Sequence, residues 1–150
     1  MFRNMRLVKT ASHIGVREGR RIFGRYRLTF DDIVSGARFE DAICLVRFCI
    51  DVHRISPNDR FVHNQGRKVL PYNIPFRALQ PLGCDNLLLA GRCISGDFYA
   101  HASYRVACDV IPMGEAAGFA AAESCRLGIP VCDVNGKSVS AYMASLGYEL

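Results

Sequence analysis

DNLLLAGRCISG, residues 85–96, is the stretch whose reading decides the fold. Leu87 to Ala90 form a short continuous apolar run, closed by Gly91. A strand buried on both faces of a parallel sheet reads this way. Gly91 would then stand at the carboxyl end of that strand, the edge where open α/β sheets bind ligands. The next clear element is PMGEAAGFAAAESCRL, residues 112–127, followed by Gly128. Proline near the start and glycine just past the end is the usual helix asymmetry, and alanine supplies helix propensity. Gly114, Gly118 and Ala122 recur every four residues, with Ala117 and Ala121 beside them. Glycine inside a helix costs about 0.5–1 kcal/mol against alanine, so two of them need a reason. One reason is close packing of an alanine-rich helix on a sheet. Another is a flat ligand seated against the helix start. There the first amides lack intrahelical partners and carry partial positive charge, so Met113, Gly114 and Glu115 would offer an anion site.

Upstream the signals are more local. Residues 22–29, IFGRYRLT, mix apolar, aromatic and basic side chains and read as a strand. Thr29 caps a short helix through Val34, with Asp31 and Asp32 in its first turn and Gly36 as its stop. Residues 39–46 read as a second helix and 48–53 as a strand. Residues 54–68 are polar and rich in turn formers, which predicts a long loop. Pro75 interrupts the extended run 71–79, making it an edge strand or connector. A last helix is expected over 137–146, stopped by Gly147.

The 150 residues amount to one domain's worth of chain, and 50% are hydrophobic. That apolar content excludes an intrinsically disordered chain. No apolar run approaches the roughly 18–20 residues that span a bilayer, and the basic opening MFRNMRLVKT does not read as a secretory leader. The expected location is cytoplasmic. Residues 1–77 carry +8 and residues 78–150 carry −3, and 16 of the 19 basic residues are arginine. Arginine is a permanently charged fork suited to carboxylate and phosphate. The excess fits either an anion-binding face or a solvated surface. The seven cysteines at 44, 49, 84, 93, 108, 125 and 132 contain no C-x-x-C pair, so neither a zinc nor an iron–sulfur site is expected. Cys93 stands apart because Arg92 adjoins it, and a neighbouring cation lowers a thiol's pKa. The four histidines at 13, 53, 63 and 101 have no metal-ligand spacing.

Residues 85–118, DNLLLAGRCISGDFYAHASYRVACDVIPMGEAAG, resemble the C-terminal flavin-binding segment of FAD-dependent oxidoreductases related to the heterodisulfide reductase A subunit. The strand-turn, the S-x-R-V segment and the MGxAAGxAAA run occur in order. HIGVREGRRI at 13–22 is similar to the family's GVRESRRI stretch, with Gly19 in place of a small hydroxyl residue. The segments YRLTFDDI, GARFEDAI and YNIPFRAL also fit, so the resemblance spans about residues 13–146.

The resemblance implies a partial two-dinucleotide-binding-domain α/β flavoprotein fold. Residues 1–80 would be part of a substrate or cap domain, and 81–150 the FAD-binding strand-turn-helix unit. It places Gly91 and Arg92 against the ribityl-diphosphate part of FAD, with Ser95 donating a hydrogen bond nearby. Met113, Gly114, Ala116 and Ala117 would present the helix start to the isoalloxazine ring. Arg17, Arg20 and Arg21 match the family's arginine motif, near substrate or an adjoining domain. Arg92 stands where many distant flavoproteins carry aspartate. The family's opening Rossmann unit carries G-x-G-x-x-G, and no such motif occurs in this sequence. The chain is therefore expected to be the C-terminal part of a longer enzyme, needing that segment in cis or trans. On the substrate side, His101 and Tyr104 are candidates to move a proton and Arg105 to hold a carboxylate. Each also has a structural reading: a bonded core histidine, a core tyrosine, an ion pair. Two other functions compete. One is a small basic nucleic-acid-binding module, which has arginines but no recognition motif. The other is a remnant that folds without chemistry.

Overall fold

The computed structural model describes residues 3–52 and 68–150. Its elements are α1 (Phe30–Ser35), β1 (Ala42–Val46), β2 (Tyr72–Pro75), α2 (Phe98–Tyr104), α3 (Ala107–Leu127) and α4 (Gly136–Ser145). Single 3-10 turns occupy Phe76–Leu79 and Val131–Asp133. The expected loop over 54–68, and His53 and His63, lie almost wholly outside the described residues.

β1 and β2 pair antiparallel, with Ala42 opposite Pro75 and Val46 opposite Tyr72. Helices α3 and α4 pack against β1. The core joins Ile43, Val46, Tyr72 and Ile74 of the sheet to Met113, Ala116 and Ala120 of α3 and to Val139 and Met143 of α4. Each fully buried aliphatic side chain contributes about 1.5–3 kcal/mol. The expected helix over 39–46 is thus corrected to a strand. Almost every residue of β1 is buried, so its apolar run carries no period to separate helix from strand.

Local capping explains the helices that were read correctly. In α1 the Thr29 hydroxyl accepts from the Asp32 amide while the Asp32 carboxylate accepts from the Thr29 amide, a complete capping box. Gly36 closes the helix in the left-handed region at φ 70°. The short helix α2 escaped the sequence reading. Its cap is Asp97, whose Oδ1 accepts from the Ala100 amide at 2.8 Å. The other oxygen of the same carboxylate accepts from the Phe30 amide at the start of α1, at 2.6 Å. One side chain therefore serves two helix starts.

Helix α3 corrects a second expectation. It opens at Ala107, five residues before Pro112, and the proline lies inside it. Proline cannot donate to the carbonyl four residues earlier, but its fixed φ is compatible with a helix in progress. Met113, Gly114 and Glu115 are consequently not at a helix start. Gly114 and Gly118 face open space: a methyl group built on either meets nothing within 4 Å.

The parallel-sheet expectation is also corrected. Leu87 is 47% exposed and Leu88 to Ala90 are half-buried. Leu89 donates to the Leu79 carbonyl at 2.9 Å, but no ladder forms. A buried parallel strand needs neighbours on both edges, and the described residues supply neither. Residues 22–29 likewise form isolated bridges, Gly24 with Pro81 and Leu28 with Gly96, in place of a strand, and 48–52 carry no strand. What the described residues form is a mixed helical and small-sheet unit, compatible with part of a larger α/β domain.

Candidate functional site

The bend after Leu88 to Ala90 is the best-defined feature of the site. Gly91 sits at φ 84°, a conformation that side chains other than glycine rarely adopt. A Cβ there would meet Val110 Cγ1 at 3.3 Å, so the bend is pressed against the first turns of α3. The Gly91 amide donates to the buried Met113 sulfur at 3.2 Å, clipping the bend to the helix. The Cys93 thiol donates to the Ala90 carbonyl at 3.3 Å. The Ile22 amide donates to the Cys93 carbonyl at 3.0 Å, bringing the N-terminal arm alongside.

A cleft of about 680 Å3 opens at this bend, within the usual range for small-molecule sites. One wall is Ala90, Gly91, Arg92 and Cys93, a second is Arg105, Ala107 and Val110, and the third is Val16, Arg17, Gly19 and Arg20 of the arm. Ala107 is the first residue of α3, whose N-cap Val106 provides no side-chain hydrogen bond. An anion in the cleft would meet a helix start that no side chain caps.

The other predicted residues are not part of this cleft's lining, and Ala117 lines a separate one with Leu88 and Ala121. His101 is 1% exposed and sits edge-on to Tyr104 at 5.6 Å between ring centroids. Its Nε2 has no hydrogen-bond partner. Burial lowers its pKa to about 4, helped by Arg21 and Arg105 and opposed by Glu18 and a bond to the Arg92 backbone. Tyr104 is fully buried and donates to the Ile94 carbonyl at 3.2 Å. Burial raises its pKa well above the ordinary phenol value. A methyl on Gly96 would come within 2.7 Å of the Tyr104 ring, so the two are in tight register. Ser95 is buried beside Gly24 with its hydroxyl unpartnered. Met113 and Ala116 are buried, Ala117 is half-buried and Gly114 is exposed. Gly91, Arg92 and Arg105, with Cys93, Arg17 and Arg20, are therefore the predicted residues that the fold gathers at one cleft.

Arg105 does not have a free fork. Its side chain is 5% exposed; one Nη donates to Glu18, and the other donates to the Asp51 carbonyl at 2.6 Å. The guanidinium holds the Glu18 carboxyl below the usual carboxylate range, with a lesser pull from Arg17. Arg92 Nη1 donates to the Val16 carbonyl at 3.2 Å. These two arginines tie the arm down across the cleft. No local pattern signals the Arg105–Glu18 contact, which spans 87 residues, or marks Ala107 and Val110 as wall residues.

A second cleft, of about 500 Å3, lies where α4 begins. There Asp41 accepts from Arg77 Nε at 2.9 Å, from Nη2 at 3.1 Å and from the Arg77 amide at 3.1 Å. Lys137 pairs with Glu40 at 2.5 Å, and Arg25 donates to the Cys132 carbonyl at 2.9 Å. All seven cysteines carry free thiols, and among the described residues no three His, Cys, Asp or Glu side chains gather as a metal site. No helix of the described residues is long and apolar enough to cross a membrane.

Against known proteins, the family model of FAD dependent oxidoreductases matches residues 1–143. No curated protein and no solved structure matches the chain. The family match takes in the arm, the Gly91 bend and most of α4 together, and its cofactor, FAD, suits a cleft with a glycine bend, an uncapped helix start and arginine forks. This chain belongs to the FAD dependent oxidoreductase family.

Proposed function

We propose that the chain supplies the C-terminal part of the FAD site in an oxidoreductase of the heterodisulfide reductase A-like kind. The flavin would lie in the cleft between the Gly91–Arg92 bend, the start of α3 and the arm. The observation that carries this reading is the Gly91 bend itself. A glycine at φ 84° leaves the backbone bare where a ligand approaches, and Val110 closes the space behind it. Gly91 and the Ala107 end of α3 would face the diphosphate, and Arg92 would supply charge beside it. Met113 and Ala116 act from beneath, Met113 by holding the Gly91 amide. Ser95, Gly114 and Ala117 stay candidates for contacts completed by further protein. Bound FAD supplies hydride or electron transfer; the protein positions it and sets its electronics.

His101 stays neutral at physiological pH, because its charged form is disfavoured by burial and by two arginines. Its role in this reading is to hold the Arg92 backbone and to keep Nε2 as a proton acceptor. Tyr104 fixes the Ile94 carbonyl below the bend. The half-exposed Leu87 and Leu88 fit an edge that a neighbouring strand would cover. In this reading the G-x-G-x-x-G unit comes from a segment in cis or trans, with residues 1–80 on its substrate or cap side and 81–150 on its flavin side.

The test is to co-express or fuse the chain with a Rossmann segment bearing G-x-G-x-x-G and to purify the product. Bound flavin, seen by its visible absorbance and quenched fluorescence, is the expected result. A folded, colourless product that takes up no flavin on reconstitution overturns the reading.

A further inference from the structure

We propose that Arg17 and Arg20 form a carboxylate subsite at the mouth of the cleft, so that the substrate is a carboxylate-bearing anion. The inference rests on the flavin reading of the same cleft and assigns its substrate side. Both side chains line the cleft across from the Gly91–Arg92 bend, with Gly19 between them leaving room at the wall. The charge balance singles them out. The acid between them in sequence, Glu18, is drawn onto Arg105. Arg105 is buried and its donors go to Glu18 and the Asp51 carbonyl, so it is a positioning residue for the arm and has no fork left for substrate. Arg92 is held by the Val16 carbonyl. Among the described residues no carboxylate pairs with Arg17 or Arg20.

Two exposed guanidinium groups lining one cleft, with no carboxylate partner among the described residues, leave their donors open to an anionic ligand. Guanidinium forks match carboxylate and phosphate oxygens two at a time. The flavin's own diphosphate is the other source of such an anion. It belongs at the opposite wall, where the Gly91 backbone, Arg92 and the α3 start converge. The arm then serves a second anion, and a dicarboxylate uses both forks.

The experiment is calorimetric titration of the full chain with succinate at fixed ionic strength. Four proteins are compared: wild type, Arg17→Gln with Arg20→Gln, Glu18→Gln, and Lys137→Gln in the second cleft. The expected results are saturable binding to wild type, weakening of about tenfold or more in the double variant, and no change for Lys137→Gln. Glu18→Gln loosens the arm from Arg105 and is expected to weaken binding by an intermediate factor. Added FAD or pyrophosphate is expected to leave succinate binding in place. Absence of succinate binding overturns the proposal, as does equal binding by the double variant. Equal weakening by Lys137→Gln shows a bulk charge effect and also overturns it. Displacement of succinate by pyrophosphate returns the two arginines to the diphosphate and overturns it too. Circular dichroism of the variants separates loss of binding from loss of fold. Succinate binding by a protein that never takes up flavin would sink the flavin reading and leave the subsite standing as an anion site.

Discussion

The two arginine-bearing clefts differ in how their charge is answered. At the start of α4, Arg77 is met by both oxygens of Asp41 and Lys137 by Glu40. At the Gly91 bend, Arg17 and Arg20 line the cleft with no carboxylate partner among the described residues, and Glu18, between them in sequence, is paired with Arg105. The buried Asp41 carboxylate fixes architecture, because removing Arg77 would strand it, whereas the exposed Lys137–Glu40 pair only balances charge. Unpaired charge at a concave surface adds little to folding and is available to a ligand. The same residue type therefore does two jobs, and the arrangement of nearby acids tells them apart.

The strongest way to break this comparison is Asp41→Ala. Asp41 is buried and accepts three bonds from one arginine. Charge-assisted bonds are worth about 1.5–3 kcal/mol and the Arg77 side chain is half-exposed, so a loss of about 2–3 kcal/mol is expected in urea unfolding. Succinate binding is expected to be untouched. If stability were unchanged, the pairing in this cleft would not be structural.

Acid titration comes next, because two buried groups oppose one another. His101 has a folded pKa lowered from 6.5 to about 4. Between those values the unfolded chain binds more protons, so stability from this group falls as pH drops, by about 2–3 kcal/mol in all. Asp109 has a folded pKa raised by burial from 3.8 to about 6. There the folded chain binds more protons, and stability from this group rises as pH drops through the same window. The wild type is expected to show a shallow net dependence between about pH 6 and 4. Asp109→Asn removes the compensation and is expected to make acid destabilisation steeper, measured by the urea midpoint against pH. An unchanged slope would remove Asp109 from the account.

Gly91→Ala sharpens the comparison at the other cleft. Strain at φ 84° together with contact on Val110 is expected to cost about 1–2 kcal/mol and to weaken flavin uptake. The smallest effect has the opposite sign. Gly114→Ala and Gly118→Ala are each expected to stabilise the isolated chain by about 0.5–1 kcal/mol, since nothing lies over them. A stabilised chain that no longer accepts its Rossmann segment would show that the bare stripe is kept for a partner.

Legibility followed the range of the cause. The Thr29–Asp32 box, Gly36, Gly128 and Gly147 act within a turn of where they stand, and the helix ends they set were readable. Helix α3 opens at Ala107 after Val106, an N-cap that offers no polar side chain, while Pro112 imitates a start. Buried runs misled in both directions: 42–46 is a strand that reads as helix, and 87–90 is apolar without the neighbours a buried strand requires. At the cleft, Gly91 was legible as the stop of an apolar run because bend chemistry is local. The commitment of Arg105 to Glu18 depends on two distant segments meeting, and no pattern in either announces it.

Asp97 carries a mechanical consequence. Its two oxygens hold the leading amides of α1 and α2, and Phe30 and Tyr99 rest ring against ring at 5.1 Å beside it. The pair is pinned at a shared anchor, so tilting one rod drags the other. Since α2 carries His101, the anchor that sets where α1 starts also sets where that histidine stands.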